Sequence, residues 1–182
     1  MIAPVSTWQA QFYALPPVPT DGAACQQRAL AVTALLAGIQ IGLPFSGTAL
    51  FTFATGVFAS GMEGVPISPS PIAMAIQYSL AFQAACTASV WLVTGGYLGV
   101  PTPPTTFSAP PVAVFAPTSV AAATAQLQSA LAVLKAPTVI GPQELEMPKA
   151  FQAAFASLQV MLTGLNSVPP TPQPLIATVP VL

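Results

Sequence analysis

AFQAACTASVWLVTGGYLGVPTP spans residues 81–103, and AFQAAFASLQVMLTGLNSVPPTP spans residues 150–172. Ten of the 23 aligned positions are identical: the AFQAA block, Thr94-Gly95 against Thr163-Gly164, and the closing Pro-Thr-Pro. The likeness extends upstream. Pro66 and Pro71 have the same spacing as Pro137 and Pro142, and each pair follows an Ala-rich apolar segment, 48–62 and 119–135. Self-similarity of this kind marks one supersecondary unit used twice. Each copy reads as helix, proline-marked connector, helix and Pro-Thr-Pro exit, which predicts a pair of αα-hairpins.

The spacing of apolar residues supports helices. Phe151, Phe155, Leu158, Leu162 and Leu165 follow steps of four, three, four and three, the stripe of one helix face. Val120, Thr124, Leu127, Leu131 and Leu134 repeat that spacing in the preceding segment. Gly95 and Gly164 suit helix C-termini, and the prolines beyond them prevent continuation. A further helix is expected near 22–43, with Asp21 as its N-cap and Pro44 as its stop. A short one is expected from Ser6 to Leu15, with Trp8, Phe12 and Leu15 on one face. The predicted fold class is therefore all-α. It comprises an N-terminal segment at 1–47, a hairpin at 48–104, a proline-rich apolar connector at 105–118, a second hairpin at 119–166 and a proline-rich arm at 167–182.

Charge is nearly absent. Asp21, Arg28, Glu63, Lys135, Glu144, Glu146 and Lys149 are the seven charged residues of 182, or 4%, where soluble domains average about 25%. None falls between Gly64 and Leu134. Three scattered basic residues argue against nucleic acid as a partner and against a basic membrane-surface helix. A net charge of −1 leaves little repulsion between copies. The opening residues lack the basic and continuous apolar regions of a secretory signal. Cys25 and Cys86 form neither a zinc signature nor a disulfide framework, and they read as buried thiols on helices, free or bridged to each other.

The catalytic inventory is thin. Histidine is absent, so triads and dyads built on imidazole are impossible within the chain. Glu63, in the glycine-flanked stretch Gly61-Met62-Glu63-Gly64, reads as a solvated turn residue. Glu144 and Glu146 read as negative charge at the start of the last helix, where the helix dipole favours it. Thr94-Gly95-Gly96 carries no phosphate-loop pattern. Phe82, Tyr78, Trp91 and Tyr97 read as packing. The expectation is no enzyme, no cofactor and no metal.

What remains is an association protein. The proline-rich arms 101–118 and 167–182 carry Phe107, Val112, Val114, Phe115, Leu175, Ile176, Val179 and Leu182, an apolar set that flexible linkers lack. These eight residues are the candidate partner-binding positions, toward other subunits of one particle or copies of the chain itself. In composition the chain is similar to small structural proteins of phage. The leading expectation is a non-catalytic structural subunit of a large assembly, such as a virion capsid, neck, tail or baseplate, located in that particle. The alternative is an integral membrane protein with uncharged helices near 29–62 and 72–100, each long enough to span a bilayer.

Overall fold

A computed structural model of the chain describes residues 2–16, 20–42, 45–63, 71–97, 105–106, 112–134, 143–166 and 173–181. For 45–47, 71, 95–97, 105–106, 143–145, 165–166 and 173–175 the backbone alone is described. In chain order the elements are α1 (Val5–Tyr13), α2 (Asp21–Leu35), β1 (Phe45–Thr52), α3 (Thr55–Met62), α4 (Pro71–Ala88), β2 (Val90–Tyr97) and β3 (Thr105–Thr106). They continue with β4 (Val112–Phe115), α5 (Pro117–Ala132), α6 (Gln143–Ala156), β5 (Gln159–Asn166) and β6 (Gln173–Pro180).

The all-α expectation is overturned. The chain mixes helices with an antiparallel sheet in the order β1-β2-β4-β5-β6, and the two-residue β3 pairs with β2 off that path. The repeat is real, but its unit is strand–helix–helix–strand: β1-α3-α4-β2, then β4-α5-α6-β5. Four corrections follow. The helix expected at 48–62 is β1 followed by α3. The helix expected through Gly95 ends at Ala88, and that expected through Leu165 ends at Ala156. The connector holds β4. Within the C-terminal arm, Gln173–Pro180 forms β6, paired along its length with β5 from Gln159↔Pro180 to Asn166↔Gln173. An isolated antiparallel bridge joins Ile41 to Val181, and the Gly42 amide donates to the Pro180 carbonyl at 2.8 Å.

The junctions show why the helices stop. Ser89 alone separates α4 from β2; its Oγ donates to the Ala85 carbonyl at 2.7 Å and accepts from the Ala54 amide at 3.1 Å. One buried hydroxyl thus ends α4 and ties it to the β1–α3 corner. Ser119 does the corresponding work in the second unit, accepting from the Gln159 amide at 3.1 Å and donating to the Ala116 carbonyl at 2.8 Å. Both serines satisfy backbone groups that the helix–strand corners would otherwise leave without partners. The residues beyond the corners, VWLVT and QVMLT, are rich in β-branched and aromatic side chains and adopt strand. The α2 N-cap is Thr20, whose hydroxyl accepts from the Ala23 amide at 3.3 Å, with Asp21 the first helical residue. Gly38, at φ 84°, occupies the left-handed conformation in the turn after α2, so that helix ends before Pro44.

Each pairing in the sheet is antiparallel, so β1 and β4 run in the same direction, as do β2 and β5. The two units follow one another across the sheet in the same sense and are related by a step, not by a twofold axis. Their equivalence is close in detail. Phe82 and Phe151, Ala85 and Ala154, and Val93 and Leu162 are matched in sequence and all buried. The helices touch in the cyclic order α1-α2-α3-α4-α5-α6 and back to α1.

The interior is aromatic. Phe155 stands 4.9 Å from Phe82, 5.7 Å from Phe53 and 5.8 Å from Trp8, centroid to centroid. Phe51 links this group to the sheet, contacting Phe53 at 6.3 Å and Trp91 at 4.5 Å, with Phe115 at 5.5 Å. Helices and sheet therefore share one core, to which the strands contribute one face only. Among the described residues, no helix is long and apolar enough to cross a membrane. The two spans proposed for bilayer helices, 29–62 and 72–100, are each divided between helix and strand.

Candidate interaction face

Side chains alternate across a strand. In this sheet the inward set is Phe51, Trp91, Val93, Ala113, Phe115, Val160, Leu162, Ala177 and Val179. The outward set would be polar in a sheet wetted on one side. Here it is not. Leu50, Val90, Leu92, Val112 and Ile176 are 62–70% exposed, Val114 is 39% exposed, and Met161 is half-buried beside them.

Register makes these residues contiguous. Leu50 opposes Leu92, and Thr52 opposes Val90. The pair Trp91↔Ala113 sets Leu92 beside Val112 and Val90 beside Val114. Val112 opposes Thr163, which opposes Ile176; Val114 opposes Met161, which opposes Thr178. Two rows thus cross the sheet from edge to edge. Threonines complete the face, and their hydroxyls are partly turned to one another: Thr48 and Thr94 share a hydrogen bond of 2.6 Å. No described strand contains a charged residue.

The charged groups that are described gather on the helices. Arg28 Nη1 donates to Tyr78 Oη at 3.0 Å, and Cys25 Sγ on the same helix lies 4.0 Å from Asp21 Oδ1. Burial pushes the Tyr78 hydroxyl above its ordinary value, more than the Arg28 charge lowers it. Burial and the Asp21 carboxylate raise the Cys25 thiol, and Arg28 opposes them. Gln77 Nε2 donates to the Gly61 carbonyl at 3.2 Å and to that of Glu63, fastening the end of α3 to α4. Lys149 and Glu146 form an exposed pair at 3.3 Å on α6. Arg28 and Gln77 hold helices to one another, the other two contacts lie within single helices, and the described residues contain no cluster suited to a metal ion. Both cysteines are free.

The eight residues expected to bind partners divide. Val112, Val114 and Ile176 lie on the outward sheet face. Phe115 and Val179 point into the chain's own core, 5% and 1% exposed. Leu175 lies in β6 with only its backbone described, and Phe107 and Leu182 are outside the described residues. Leu50, Val90, Leu92 and Met161 complete the face and were not singled out from the sequence, because the segments holding them read as helices. A second apolar stripe, Ile72, Ile76 and Leu80, lies on the outside of α4 at steps of four. A shallow groove of about 340 Å³ runs between Gln11, Leu15 and Pro16 and the α2 residues Gln27, Leu30, Ala31 and Ala34.

Comparison with known proteins finds no match: no family model fits the chain, and no curated protein and no solved structure is similar to it. The expected placement in a virion or phage particle accordingly has no support from relatives.

Proposed function

We propose that this chain is a non-catalytic structural subunit of a multi-protein assembly, attached through the outward face of its sheet. The observation that carries this reading is the separation of charge from that face. Every described charged side chain lies outside the described strands, while Leu50, Val90, Leu92, Val112, Val114 and Ile176 form an uncharged surface in water. Each such side chain forgoes about 1.5–3 kcal/mol of possible burial. Contiguous apolar surface of this extent is characteristic of interaction sites. Among the described charged groups, Arg28 ties α2 to α4, Lys149 and Glu146 pair within α6, and none forms a reactive constellation.

The test is the size of the particle that carries the chain. In extracts of its native source, fractionated on a gradient without detergent, the chain should sediment with a complex much larger than a monomer or dimer. Leu92→Lys, introduced in place of the wild type, should move it to the top of the gradient. Sedimentation of the wild-type chain only as free monomer or dimer would overturn the reading.

A further inference from the structure

We infer that the occupant of the outward sheet face is a second copy of this chain, docked sheet against sheet. This rests on the reading of that face as an interface and names what covers it. The first argument is charge. A partner recognised through ion pairs would find no counter-charge on any described strand, whereas an identical copy brings the same uncharged strands and meets no like charge there. The second is composition across the face. Val112 and Val114 lie on β4, the middle strand, with Val90 and Leu92 on one side and Met161 on the other. Thr48, Thr52, Thr94, Thr178 and Gln159 border them along the strands, and the apolar row continues to Leu50 and Ile176 on β1 and β6.

The third argument is area. Five strands about 4.8 Å apart, with outward residues about 6.8 Å apart along each, present roughly 450–600 Å² of plane. Two copies together cover about 1,000 Å² of plane, and side-chain relief brings the accessible area to the range of about 1,200–2,000 Å² typical of specific interfaces. Twisted antiparallel sheets pack face to face about 10 Å apart with their strands within about 30° of each other, which lets leucine and valine side chains interdigitate. A twofold arrangement closes on itself and leaves the helices and their charges outside, free for further neighbours.

Sedimentation velocity of the purified full chain across a wide concentration range tests this. The wild type should show twice the chain mass. Leu92→Lys and Ile176→Lys, on β2 and β6, should halve it with the far-ultraviolet circular dichroism unchanged. Leu80→Lys, on the outside of α4, should leave the dimer intact. A wild-type monomer at every concentration overturns the inference, as does a dimer that survives both sheet-face lysines or one that only Leu80→Lys dissociates. If one lysine variant loses its helical signal the other decides, and the wild-type mass decides in either case. A monomeric purified chain that still enters a large complex in native extracts would overturn the second copy but leave the assembly role. A sheet-face dimer found in no larger complex would do the reverse.

Discussion

Replacing Phe155 with alanine measures whether the two repeat units share one core. The ring is 1% exposed and lies against Trp8 of α1, Phe53 beyond β1 and Phe82 of α4, so it joins the N-terminal helix to both units. Removing a buried phenylalanine side chain forfeits about 1.5–3 kcal/mol of transfer free energy. A residual void of about 50–100 Å³, at about 24 cal/mol per Å³, adds about 1–2.4 kcal/mol. Three lost ring contacts, each worth about 0.5 kcal/mol or more, bring the total to about 4 kcal/mol or more, at or beyond the top of the usual range of about 3–5 kcal/mol. For a chain of this length, about 4 kcal/mol lowers the thermal midpoint by about 8–16 °C. The assay is urea and thermal unfolding followed by circular dichroism, at one protein concentration for all variants because association would shift the midpoint. Val133→Ala, at a position 78% exposed, should change stability by less than about 0.5 kcal/mol. A loss below about 1 kcal/mol for Phe155→Ala would refute the shared core.

Further outcomes can be checked in the same way. An added methyl at Gly61 would stand 2.8 Å from Ala81 Cβ and 3.0 Å from its Cα, so Gly61→Ala should force α3 from α4 and cost about 1–3 kcal/mol in urea unfolding. Gly56, in the same helix, faces open space, and Gly56→Ala should stabilise by about 0.5–1 kcal/mol. Ser89→Ala strips the Ala54 amide of its partner and should cost about 1–3 kcal/mol, with no such loss for the exposed Ser60→Ala. Burial holds the Cys86 thiol protonated well above its ordinary value of 9.0, so the folded state keeps a proton that the unfolded state releases. This thiol's contribution to stability should be constant below that value and be lost as pH rises through it. Cys86→Ala should reduce the slope, and neither thiol should react with a disulfide reagent at mild pH until denaturant is added.

The sequence showed the repeat, the position of α5 and the inward stripe Phe151, Phe155, Leu158 and Leu162; it read β1, β2 and β5 as helix, and β4 and β6 only as parts of proline-rich arms. One reason is arithmetic. Leu158 and Leu162 are four apart, a spacing that keeps two residues on one face of a helix and equally on one face of a strand. The stripe Phe151-Phe155-Leu158-Leu162 therefore passes from α6 into β5 without a break, and all four residues are buried as expected. The corners from α4 into β2 and from α6 into β5 carried no Gly or Pro to mark them. Single buried serines make those corners, and their role depends on partners distant in sequence, such as Ala54 for Ser89 and Gln159 for Ser119.

The deeper reason for the missed strands is the outward face itself. A strand wetted on one side announces itself by alternation of apolar and polar residues. In VWLVT, Trp91 and Val93 point inward, but Val90 and Leu92 point outward and are apolar too. Alternation is likewise erased at Leu50-Phe51 and at Val112-Ala113-Val114-Phe115. Had the outward positions been lysine, glutamate or serine, the period of two would have been plain and the helix reading would not have arisen. The same substitutions would have removed the surface on which the proposed association depends. Strands apolar on both faces are otherwise found where both faces are covered, as in the layered α/β folds. In this chain one face is covered by its own core and the other is open. What hid the strands from the sequence is thus the pattern expected of a sheet whose second layer comes from another molecule.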